Sequence, residues 1–175
     1  LNFALAQLFF HLQNYMNAID FYFKALAVEP ENALYMAALG SAYIESQQPS
    51  YAGAILTKAL AIKPDCLEAI IAMGALRLSL YDFEGALKWL TQAAERKSID
   101  FSVYSNLALV LGLLGRQEES LQYAEKARRL NPRSPHVLCA LAKTLINVGQ
   151  MDAAQRHLKK AIQLDPAFGP AYERL

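Results

Sequence analysis

Three histidines and two cysteines are the side chains in this sequence best suited to proton transfer, nucleophilic attack or metal binding. Their surroundings supply none of the partners such chemistry needs. His11, His136 and His157 have no matched nucleophile or carboxylate at a spacing that would make a relay, so each reads as a surface or groove residue. Cys66 and Cys139 lie far apart in sequence, and neither belongs to a CxxC. No closely spaced histidine pair accompanies them, which argues against a zinc site and against a disulfide framework. Neither a GxGxxG nor a GxxxxGKS/T phosphate loop is present. The acidic residues are scattered along helical exteriors rather than paired. The expectation is a chain with no catalytic residue, no metal site and no cofactor, and therefore not an enzyme.

The bulk composition agrees. Of 175 residues 54% are hydrophobic and 19% charged, with a net charge of +1. That balance supports a sizeable core and argues against both a disordered chain and a general polyanion binder. No apolar run reaches the ~18–20 residues needed to span a bilayer, and no basic-then-apolar leader opens the sequence. Together with two unpaired cysteines, this predicts a cytoplasmic location without membrane insertion. The sequence opens at Leu1 inside an apolar periodic run and closes at Leu175 early in a new unit. It reads as a fragment of a longer protein, and self-association through two uncapped ends is a further expectation.

Proline reveals the organisation. Pro30, Pro64, Pro132 and Pro166 are separated by 34, 68 and 34 residues, and the missing beat falls on Ser98. Cutting at that period gives units 1–32, 33–66, 67–100, 101–134 and 135–168, with the start of a further unit at 169–175. With the proline as position 32, position 27 is Ala25, Ala59, Ala93, Ala127 and Ala161. Position 20 is Ala18, Ala52, Ala86, Ser120 and Ala154, and position 8 is Ala6, Gly40, Gly74, Ala108 and Ala142. Each unit carries two apolar stripes at helical spacing, separated by a turn. In the second unit these are Met36, Leu39, Gly40 and Tyr43, then Ala52, Ile55, Leu56, Ala59 and Leu60. Breakers mark the turns: Gln48–Pro49–Ser50, Gly115 and Gly149. Small residues at positions 8, 20 and 27 let two helix backbones approach, and a large residue at 24 (Tyr22, Leu56, Leu90, Leu158) fills the gap beside them. The proline ends the second helix, because it lacks an N–H and restricts the residue before it. Ser98 is expected to stop its helix as a capping residue instead.

This pattern resembles the tetratricopeptide repeat (TPR) over essentially the whole chain. The departures are Ser98 for proline, Arg77 and Leu111 where an aromatic such as Tyr43 is usual, and Ala124 where a large residue is usual. The resemblance implies an all-α fold, a right-handed α-solenoid of antiparallel helix pairs in 34-residue repeats forming a single array over 1–175. It also implies that the first helix of each pair lines a concave groove. At the groove-lining positions the sequence has Phe3, Gln7 and Phe10 in the first unit, then Ala37, Ser41, Ile44 and Glu45 in the second. The third unit gives Ile71, Ala75 and Leu78, the fourth Ser105, Asn106 and Leu109, and the fifth Lys143, Ile146 and Asn147. Such a groove is apolar with few charges, which suits an amphipathic helix or an extended apolar peptide. Asn106 and Lys143 fall in different units, which argues against the C-terminal carboxylate clamp of chaperone-binding repeats. The expected function is a non-catalytic scaffold or adaptor that holds a segment of another protein. The alternative is the recognition arm of a larger enzyme whose catalytic domain lies elsewhere.

Charge is uneven along the chain. Residues 1–100 hold 7 Lys/Arg and 10 Asp/Glu, whereas residues 101–175 hold 10 and 6. Arg128, Arg129, Arg133, Arg156, Lys159 and Lys160 fall in second helices and turns and read as a solvated convex face. Aromatic residues do not interleave with them, so no nucleic-acid partner is expected.

Overall fold

The computed structural model describes residues 1–96 and 99–173, and these form α-helices joined by short turns. The first helices of the pairs are α1 (Asn2–His11), α3 (Ala33–Glu45), α5 (Leu67–Ser79), α7 (Phe101–Leu113) and α9 (Pro135–Asn147). The second helices are α2 (Tyr15–Val28), α4 (Pro49–Ile62), α6 (Phe83–Glu95), α8 (Gln117–Leu130) and α10 (Met151–Leu164), and a short α11 (Gly169–Tyr172) follows. Ser98, expected to close the third unit, lies outside the described residues, as does Leu175. The chain divides into two compact units, Leu1–Gln92 and Ala93–Leu175, with the boundary inside α6.

All five pairs turn on one device. The residue at repeat position 15 has positive φ in every unit: 58° at Gln13, 59° at Gln47, 60° at Tyr81, 77° at Gly115 and 78° at Gly149. The next N–H then reaches back to the last turn of the first helix, as Gln48 N does to Tyr43 O and Arg116 N to Leu111 O, both at 2.8 Å. This closure satisfies carbonyls that the helix end would otherwise leave unpaired. At Gly115 nothing lies within 4 Å of an added Cβ, so a methyl there meets only the left-handed backbone. Gly115→Ala is therefore expected to cost about 1 kcal/mol of unfolding free energy; an unchanged denaturant midpoint would contradict this account of the turn.

The second helices stop two residues short of each proline. Glu29, before Pro30, is held at φ −127°, ψ 77°, and Lys63, before Pro64, at φ −135°, ψ 91°. Lys63 is extended and Glu29 also lies outside the helical region, which a following proline disfavours. Capping side chains open the next helices: Asn32, Asp100 and Ser134 accept from the N–H groups of Tyr35, Ser102 and Val137.

In the α3–α4 and α5–α6 pairs, glycine and leucine fit one another. A Cβ on Gly40 would lie 2.6 Å from Leu56 Cγ, and one on Gly74 would lie 2.8 Å from Leu90 Cγ. The α7–α8 pair uses another solution. Ala124 replaces the large residue, and buried Ser120 donates from Oγ to the Ala108 carbonyl at 2.7 Å. Leu111, in the usual aromatic place, is fully buried. Arg77 in the same place is exposed and donates to Asp82 Oδ2 at 3.3 Å.

Candidate partner-binding cleft

The second unit contains a cleft of about 310 Å³ along α7 and α9, two helices in direct contact. Turns of α7 bring Ser102, Ser105, Asn106, Leu109 and Leu113 to one wall. On α9, His136, Ala140, Lys143 and Asn147 stand three or four residues apart, which puts them on a common face. The floor is closed by buried Ala108, Val137 and Thr144. Thr144 Oγ1 donates to the Ala140 carbonyl at 3.3 Å and Ser120 Oγ to that of Ala108, so neither hydroxyl has a proton to offer a ligand. Ser105 differs: its Oγ is buried and has no hydrogen-bond partner among the described residues. Leu113 stands half-exposed at the rim, Lys143 and Asn147 are exposed, and Leu109 is half-buried.

Ser105, Asn106, Leu109, Lys143 and Asn147, expected in the groove, are thus brought together. Ile146 is not with them, since it packs against the core of its own unit. In the first unit the expected residues separate by role. Phe3 stacks on Tyr35 with ring centroids 4.4 Å apart, and Phe10 meets Tyr15 edge-on at 5.5 Å. Both rings are therefore largely used in packing. Ala37, read as a groove residue, is only 1% exposed and belongs to the core, where its methyl packs among buried apolar side chains. Ser41 Oγ donates to the Ala37 carbonyl at 3.2 Å, and Ile44 packs against the same core. Gln7 and Glu45 are exposed, while Ile71, Ala75 and Leu78 are half-buried. Phe101, Val137 and Ala140 line the cleft without having been read as groove residues. The signal available for them was the small pair Gly112 and Ala140, which leaves space between larger neighbours.

The residues with chemical potential are engaged elsewhere. Cys66 and Cys139 are both buried, and neither is in a disulfide among the described residues. Burial pushes the Cys66 thiol up, away from the reactive thiolate. His136 sets its ring against Phe168 at a centroid distance of 4.5 Å. His157, between α8 and α10, is held below the usual histidine range by burial first, then by Arg128, Lys160 and Arg156, against an opposing pull from Glu125. Because the folded state disfavours its proton, the His157 contribution is present above the unfolded value of about 6.5 and is lost as pH falls through the lower folded value. The thermal midpoint should fall on acidification from pH ~6.5, and His157→Gln should flatten that fall; parallel melting curves for the two proteins would contradict it. Among the described residues, no group of three or more His, Cys, Asp or Glu could hold a metal ion. No helix among them is long and apolar enough to cross a membrane.

Helix pairs closed by this turn, spaced by prolines at one interval and packed small against large, define a TPR protein. The chain belongs to the family of the cilia and flagella-associated protein 70 C-terminal domain, whose model matches residues 1–175. It is 26% identical over 156 residues to the tetratricopeptide repeat and J domain-containing co-chaperone of Fusarium oxysporum f. sp. lycopersici, covering 85% of this chain and 30% of that protein's length. Its fold is that of a thermophilic TPR protein from Thermus thermophilus, with a TM-score of 0.88 at 20% identity over 99% of this chain and 94% of that one. YrrB, described as a TPR protein with an unusual peptide-binding site, superposes with a TM-score of 0.67 at 21% identity over 98% of this chain and 89% of its own.

Proposed function

We propose that this chain is a protein-interaction module that does no chemistry of its own. In this reading the cleft along α7 and α9 holds an extended or helical segment of a partner protein. The observation that carries it is one cleft in which an apolar wall, Leu109 and Leu113, meets polar groups not engaged with the rest of the protein. Folded chains seldom leave such a combination open unless something binds there. The peptide-binding description of YrrB, which shares the fold, supports a peptide as the occupant. A recognition domain within a larger protein is the form the relatives suggest. The family is named for a C-terminal domain, and the co-chaperone joins its repeats to a J domain. Two buried cysteines outside any disulfide fit a reducing compartment.

The test is capture from a lysate of ciliated cells by three forms of the chain: unchanged, Leu109→Glu, and Ile71→Glu in the first unit. A partner kept by the unchanged and Ile71→Glu forms, and lost by Leu109→Glu, is the expected result. Equal capture by all three overturns the reading.

A further inference from the structure

Resting on the α7–α9 cleft as the binding surface, we propose that the partner segment presents a large apolar side chain with a side-chain carboxylate close beside it. The apolar half follows from size and lining. About 310 Å³ lies at the small end of ligand clefts, which run to roughly 1,000 Å³. It accepts an anchor side chain and its neighbours rather than a whole helix. Leu109, Leu113 and Phe101 offer that anchor its contacts.

The carboxylate follows from the donors. Among the described residues the side chains of Asn106, Lys143 and Asn147 make no hydrogen bond or ion pair, and buried Ser105 Oγ has none. Three unengaged donors, on Asn106, Lys143 and Asn147, therefore line one cleft. Among the described residues its lining holds one cation, Lys143, and no carboxylate. An ammonium flanked by amide donors matches a carboxylate, which accepts several hydrogen bonds at once and gains from charge. The same ammonium repels a basic segment, so the cleft selects against one as well as for its opposite. Lys143 and Asn147, one helical turn apart on α9, would hold the acid while the α7 wall holds the anchor.

The experiment uses fluorescence anisotropy with short peptides, acetylated and amidated so that only side chains carry charge. Each has a leucine or phenylalanine anchor flanked by Asp, Asn or Lys. The Asp peptide is expected to bind about tenfold tighter than the Asn peptide, with the Lys peptide weakest and the preference shrinking in high salt. Lys143→Glu should reverse the order. Asp and Asn peptides that bind alike, while Leu109→Glu still abolishes binding, overturn the acidic requirement and leave the cleft as the binding surface. Failure of every peptide to bind a chain of full helical content overturns both.

Discussion

Leu56→Ala is expected to lower the unfolding free energy by about 3 kcal/mol, and Gly40→Ala by about 1–3 kcal/mol. Leu56 is fully buried, so its truncation removes apolar contact and leaves a void that the surrounding helices close only in part. Gly40 fails for the opposite reason. Its new methyl would lie 2.6 Å from both Leu56 Cγ and Cδ2, and a branch point cannot swing clear as a chain end can. The double variant is the informative one. The alanine methyl at 40 enters space that Leu56 vacates, and alanine also suits a helix better than glycine by about 1 kcal/mol. The combined loss should therefore fall short of the sum by more than about 1 kcal/mol. Additivity within about 0.5 kcal/mol would mean that the two residues do not share one space.

The second large effect concerns binding. Leu109→Glu should weaken peptide affinity about a hundredfold, the size expected when the central apolar contact of a cleft is replaced by a charge. The new carboxylate loses the anchor contact and repels an acidic segment, so both halves of the recognition fail together. Leu109 is half-buried on α7, so the folded state should tolerate the change, which retained helicity and a melting midpoint near that of the unchanged chain would verify. Ile71→Glu, in the first unit, should stay within about twofold, because it alters no residue of the cleft. A loss under about threefold at Leu109 would mean that the segment's main contact lies elsewhere.

Much of the fold could be read from residue types, because the repeat restates each requirement five times. Proline at one interval marks the ends of second helices through an effect on the preceding residue, and Glu29 and Lys63 carry it in their non-helical backbones. The small residues at positions 8, 20 and 27 announce close helix contact, and Gly40 against Leu56 is that contact. The turn was half legible. Gly115 and Gly149 betray a left-handed position, but Gln13, Gln47 and Tyr81 adopt it with no residue-type signal, under the demand of the hydrogen bonds that close the pair.

The cleft was harder to foresee. Sequence reasoning treats Ser105 and Asn106 as one unit's residues and Lys143 as another's, so their donors look isolated. It is the packing of α7 on α9 that brings them to one lining. Phe3 and Phe10 show the ambiguity of aromatic residues. Their positions suggest a groove, but Tyr35 and Tyr15 lie close enough to engage both rings in packing. An aromatic side chain reads the same whether it awaits a partner or already has one.

The most direct test of the central claim is a titration of the isotopically labelled chain with the amidated apolar–acidic peptide, followed by amide chemical shifts. The account predicts that the largest changes centre on Ser105, Leu109, Lys143 and Asn147, and that α2 and α4 stay silent. Changes confined to the cationic second helices, around Arg129 and Lys160, with α7 and α9 unmoved, would contradict it.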